Sequence, residues 1–241
     1  MKRVQRAVAI AAALAGAGVA ACGANAGKPL PSEARGSTWD VHSSELAGRD
    51  LVSYRALRRS DFRAKLPPPQ ARAAADRLGA ATCSYLVPDR ETFQIRANPR
   101  QRGDGWEYVA EAEGLRFSAA MDRGCSWWNP SQRALPADYV LAHEQIHFAL
   151  TEIHARELNQ RGAEIVRETR AVHRDPQAAI AETTRKIEAL LREESKALLA
   201  RNDRFDADTS LGHRPDAQRA WQRRVEKELA ETARFASGAR P

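Results

Sequence analysis

A change of hydrophobic period near residue 137 constrains the fold of this 241-residue chain more than any other feature. Before it, short runs such as LVSYRAL, ATCSYLV, TFQIRA, WEYVAEAE and LRFSAAM alternate apolar and polar residues. Turn formers at Asp89-Arg90, Asn98-Pro99 and Arg102-Gly103-Asp104-Gly105 separate them, which is the rhythm of half-buried strands. TWDVHS reads as a further strand, KLPPPQ (65–70) as an extended loop, and ARAAADRL after it as a short helix. Beyond residue 137 the apolar positions Val140, Leu141, Leu150, Ile153 and Leu158 recur at helical spacing, predicting one long helix up to about Arg174. Asp175-Pro176 breaks it, and Ile180, Ile187, Leu190, Leu191 and Leu198 form a second helix that Pro176 opens. The two make an αα-hairpin. Residues 205–215 (FDADTSLGHRP) read as a polar connection, and AQRAWQRRVEKELAETARF as a third, amphipathic helix. The expected fold is α+β in a single domain, 38–236, with a small antiparallel β region over 38–128, a helical half over 137–236 and a cleft at their junction.

The start of the chain points to a compartment. MKRVQR is cationic, AVAIAAALAGAGVA is apolar, and Val19-Ala20-Ala21-Cys22 has the form of a lipobox, so residues 1–21 read as a lipoprotein signal peptide with Cys22 the lipidated residue. The apolar run is too short to span a bilayer. Residues 22–37, mixing Gly, Pro, Ala and Ser, read as a flexible tether. The expectation is an exported protein, anchored through Cys22 to a membrane of the bacterial cell envelope. Losing Lys2, Arg3 and Arg6 with the leader lowers the net charge of +7 by three, to +4. With arginine scattered among acidic residues, that balance argues against nucleic acid as a partner, which needs a concentrated cationic face. Cys83 and Cys125 either pair as a disulfide in an oxidising compartment or stay as two buried thiols.

The chemistry sits at His143-Glu144-Gln145-Ile146-His147. Residues four apart share a helix face, with Cβ atoms about 5 to 6 Å apart, so two imidazoles can hold one ion. Zn2+ suits such nitrogen ligands. Glu144, next to His143, is placed to activate a water molecule as general base and to pass the proton to a leaving amine. Apolar neighbours Val140, Leu141, Ile146 and Phe148 predict a buried helix, in which unpartnered imidazoles would be costly.

A third ligand is required. His154 lies on the same face but about 10 Å along the axis, out of reach on an unbroken helix. If the hairpin reverses at Asp175-Pro176, residues equidistant from the break face each other, so His147 meets the region of residue 204 and His143 that of residue 208. Asp206 and His213 then rank equally, with Glu152, Glu164 and Glu168 behind them. Asp208 and Thr209 are also candidates to cap the local turn.

Several segments together resemble an uncharacterised family of predicted secreted bacterial zinc-dependent proteases. They are LRRSDF (57–62) with the Pro-rich loop after it, Cys125-Ser126-Trp127-Trp128, HEQIHF (143–148) with Glu152 and Ala155-Arg156, and Phe205-Asp206 with Thr209, Gln218 and Trp221. The resemblance implies His143 and His147 as metal ligands, Glu144 as the catalytic acid/base, and Asp206 and Thr209 as residues of a closing motif without an assigned role. That family usually reads Thr-x-His-Gly where this chain has Thr209-Ser210-Leu211-Gly212-His213, and Ala149 and Leu150 stand where it often carries an acidic residue. The expected activity is hydrolysis of protein or peptide substrates by a lipid-anchored zinc metallopeptidase, with Trp127-Trp128 or Tyr139 lining the substrate pocket. A non-catalytic metal-binding or partner-binding envelope lipoprotein and a cell-wall amide hydrolase are the alternatives.

Overall fold

The computed structural model describes residues 34–35, 46, 48–89 and 91–237. The expected leader, Cys22, most of the tether and the TWDVHS strand lie outside the described residues. Those after residue 32 belong to one compact unit. The fold is mixed α+β, with antiparallel sheets followed by a helical half.

Strands β5 (Gln94–Arg102) and β6 (Gly105–Glu113) form the central hairpin, closed by Gly103 and Asp104. Gly103, at φ 57°, takes the left-handed conformation that a two-residue hairpin needs at its first turn position. Ile95 and Ala97 of β5 join Ala110 and Ala112 of β6 in the core, whereas Arg96 and Arg100 lie opposite Glu111 and Glu107 on the other face. Alternation thus sets one dry and one wet face. The two-residue strand β1 (Ala34–Arg35) pairs with β5, so chain pairing starts before the expected end of the tether at residue 37. Asn98-Pro99 does not turn the chain: it lies within β5 beyond the part that β1 covers, where the missing Pro N–H disrupts no ladder on that side.

A second sheet orders β2 (Leu51–Ser53), β7 (Phe117–Asp122) and β4 (Ser84–Pro88), and a two-stranded one pairs β3 (Ala80–Ala81) with β8 (Trp127–Trp128). The segment after the Pro-rich loop is the 3-10 helix Pro69–Ala74. Cys83 and Cys125 are bonded, with Cα atoms 5.8 Å apart, tying the β3–β4 junction to the β7–β8 junction. The bond closes a span of 42 residues, worth about 4 kcal/mol by chain entropy. Replacing both cysteines with alanine should therefore lower the unfolding free energy by about that amount and the denaturant midpoint with it, while the m-value rises because the uncross-linked chain exposes more surface. An unshifted midpoint would show that the cross-link does not limit the unfolded chain.

Helix α1 (Ala137–Gln160) is the axis of the molecule. One face joins Leu150, Ile153 and Leu158 to the cluster of Phe117, Ile187, Leu191, Phe205 and Trp221; the other puts Val140 and Phe148 against Leu57, Phe62 and Met121. Gln145 ties the LRRSDF segment down, since its Oε1 accepts from Leu57 N at 2.7 Å and its Nε2 donates to Arg55 O.

The first long helix ends sooner than its period predicts. After α1 the chain bends at Arg161, forms α2 (Gly162–Thr169), and then enters β9 (Ala171–His173), which pairs with Tyr108–Ala110 of β6. Ala171 is buried against the hairpin, so docking on the open edge of β6 overrides the local helical pattern. Helix α3 (Pro176–Thr209) starts as expected: Asp175 accepts from Ala178 N at 2.7 Å, and Pro176 occupies the first turn. It runs past residue 205, because Phe205 and Thr209 are fully buried and extend its packed face. Helix α4 (Pro215–Glu231) completes the helical half. Among the described residues no helix is long and apolar enough to cross a membrane.

Candidate metal centre

His143 and His147, one turn apart on α1, meet Asp206, which lies one turn before the end of the antiparallel α3. Both Nε2 atoms converge on the same oxygen: His143 Nε2 lies 3.2 Å and His147 Nε2 3.1 Å from Asp206 Oδ1. The ligand atoms of the three residues all lie within 4.8 Å of one another.

The remaining ring nitrogens fix what that convergence means. Gln218 of α4 donates through Nε2 to Tyr139 O, which turns its Oε1 to His143 Nδ1 at 3.1 Å. Asn202 of α3 donates through Nδ2 to Leu198 O, which turns its Oδ1 to His147 Nδ1 at 2.6 Å. An amide oxygen only accepts, so each Nδ1 carries the proton, and each neutral ring presents a lone pair at Nε2. A carboxylate also only accepts. Two imidazole lone pairs and one carboxylate oxygen therefore face one another, and a cation or a proton has to lie among them. Zinc ligands at about 2.0 to 2.2 Å in tetrahedral arrangement stand about 3.3 Å apart; the two histidine–carboxylate separations, 3.1 and 3.2 Å, fit. A set of two imidazoles and one carboxylate leaves a tetrahedral ion one open position.

Phe205 wedges the rings in place. It stacks on His143 with centroids 4.4 Å apart and meets His147 edge-on at 4.9 Å, backed by Trp221. Accessibility increases from His143 through His147 to Asp206, whose side chain is 30% exposed, so the triad opens on the carboxylate side.

Burial alone would discourage a charge on His147. The Asp206 carboxylate, its hydrogen bond, the nearby Glu144 charge and the Asn202 contact outweigh it, raising the imidazole to about 9. Burial also opposes ionisation of Asp206, yet the two imidazoles hold it well below the usual carboxylate range. A group whose pKa rises on folding stabilises fully below its unfolded value, here 6.5, and ceases to do so above the folded one. For the depressed Asp206, the contribution is present above 3.8 and fades below it. Protein stripped of metal should thus lose thermal stability from pH 6 to pH 9, while the stabilisation gained on adding zinc grows over the same interval, because the ion displaces the proton. A melting temperature of stripped protein that stays flat across that range would refute the ion pair.

Glu144 is buried and turned to the sheet side, where Thr82 Oγ1 donates to its Oε2 at 2.7 Å. Thr82 sits between β3 and the bonded Cys83, so the disulfide holds the segment that holds this carboxylate.

Of the third-ligand candidates, the structure brings in Asp206 alone. His213 is exposed and donates through Nε2 to Arg77 O at 3.0 Å. The cause is the turn after α3: Ser210, Leu211 and Gly212 all take positive φ, at 51°, 58° and 84°. Gly212 then lies against His143, where a Cβ would stand 3.4 Å from Nδ1, and the next side chain is thrown outward. Glu152 pairs with Arg156, and Glu164 and Glu168 are exposed on α2. His154 is buried against Glu194 at 2.9 Å. Asp208 accepts from Trp221 Nε1 at 3.0 Å, and Thr209 accepts from Gly212 N within the turn. Trp127 lines a nearby cleft, whereas Tyr139 donates to Gly212 O. Sequence reading missed Asn202 and Thr82, and it named Phe205 and Gln218 without the wedging role of the one or the orienting role of the other. The Asn202–Asp206 spacing, i and i+4, carried a signal, since it mirrors that of the two histidines.

No known protein family, curated protein or solved structure matches the chain.

Proposed function

We propose that this protein is a zinc-dependent hydrolase of peptide bonds, with His143, His147 and Asp206 as ligands and Glu144 as general base. The observation that carries the reading is the convergence of two Nε2 atoms on one carboxylate oxygen, with each ring's Nδ1 facing an amide oxygen. Bound there, zinc would supply a Lewis acid that brings the pKa of water to about 7. Glu144 takes the proton of the attacking water as its oxygen bonds to the carbonyl carbon, and returns it to the nitrogen as the C–N bond breaks. Thr82 holds the Glu144 carboxylate, while Gln218 and Asn202 keep the rings aligned. We further propose export and anchoring through Cys22, a setting that suits the Cys83–Cys125 bond.

A second reading has support in the burial of Glu144, at 3% exposure: an ion that clamps α1 to α3 without turnover. Purified zinc-loaded protein incubated separately with unfolded protein and with peptidoglycan distinguishes these readings. Release of new amino termini from unfolded protein, abolished by a chelator and restored by zinc, supports peptide hydrolysis. Release from peptidoglycan alone would make it a cell-wall amide hydrolase, and release from neither leaves the clamp.

A further inference from the structure

Beside the triad lies a cleft of about 860 Å3. Two of its wall residues adjoin the elements that build the site. Ser210 ends α3 one turn beyond Asp206, and Trp127 pairs with Ala81, the neighbour of Thr82. His213 reaches across to Arg77 O, joining the turn after α3 to the segment before β3 at the cleft wall.

Its charged lining consists of Arg77, Arg133 and Asp76. Some surface guanidiniums are neutralised by carboxylate partners, Arg63 by Asp50, Arg100 by Glu107 and Arg161 by Glu194. Among the described residues the two in the cleft have none. Arg133 uses Nη1 on the carbonyls of Pro130 and Gln132, which steadies the group while Nε and Nη2 keep their donors. A guanidinium with a free planar edge is the side chain best matched to a carboxylate. Indole, Pro67 and alanine surface beside it offers contact for an aliphatic stem.

Building on the hydrolase reading, we propose that this cleft receives a carboxylate of the peptide substrate, paired by Arg133 and Arg77. The carboxylate comes either from an acidic side chain or from the peptide's C-terminus, and binding experiments separate the two. The probes are fluorescent peptides of one sequence with Glu or Gln at a single position, each with a free or an amidated C-terminus. Zinc-loaded Glu144→Gln protein binds them without turnover. The expected result is about tenfold tighter binding of the peptide bearing the relevant carboxylate. Combined Arg77→Gln and Arg133→Gln substitution should remove that preference at unchanged zinc content. Equal binding of all four peptides, undetectable binding of any, or a preference that survives the double substitution overturns the assignment. Cleavage of the same peptides by the unsubstituted protein is scored separately: a carboxylate preference without cleavage sinks the hydrolase reading and leaves the cleft's specificity standing.

Discussion

Asp206→Ala is expected to leave the purified protein with almost no zinc, its affinity falling by more than about a hundredfold. Partners that merely orient a ligand are worth about 10- to 100-fold in metal affinity, and Asp206 stands inside the ligand set. Two imidazole lone pairs alone do not satisfy a tetrahedral ion, and the vacated corner faces the exposed side of the site. Gln218→Ala should lie between the variant and the parent, because His143 Nδ1 loses the acceptor that fixes its tautomer. His213→Ala should match the parent, since that ring bonds Arg77 O and not the triad. Elemental analysis and competition against a chromogenic chelator read all three. Zinc retained by Asp206→Ala and lost by His213→Ala would reverse the ligand assignment.

The second large effect is catalytic. Glu144→Gln is nearly isosteric and keeps an oxygen for the Thr82 hydroxyl, so fold and zinc content should be preserved. The amide cannot take a proton from water, and kcat/KM should fall by about 10² to 10⁴. Thr82→Val, which leaves the carboxylate in place without its donor, should cost less than Glu144→Gln. Hydrolysis undiminished in Glu144→Gln would remove that residue from the mechanism.

Much of the site was legible because helices are metric objects. The break at Asp175-Pro176 and a constant rise per residue placed residues 204 and 208 opposite His147 and His143; the observed partners are Asn202 and Asp206. That register survived although the first helix ends at Gln160, because α1 and α3 stay paired as far as the His154–Glu194 and Arg161–Glu194 contacts. What escaped was decided by tertiary partners. β9 exists because β6 offers an edge, and the last turns of α3 exist because Phe205 has two imidazoles and Trp221 to rest on. The FDADTSLGH stretch looked like a loop by composition, so Asp206 and His213 looked equivalent. Three successive positive φ angles after the helix separate them, and residue type hardly announces such angles at Ser210 and Leu211.

The apolar packing on both sides of α1 bears on how such a protein can diversify. Its two histidines ride on a helix packed on both faces, whereas the turn at 210–213 and the strip at 75–77 lie outside those clusters. Substitutions in that turn and strip can therefore change what reaches the triad while the helices that bring His143, His147 and Asp206 together stay as they are.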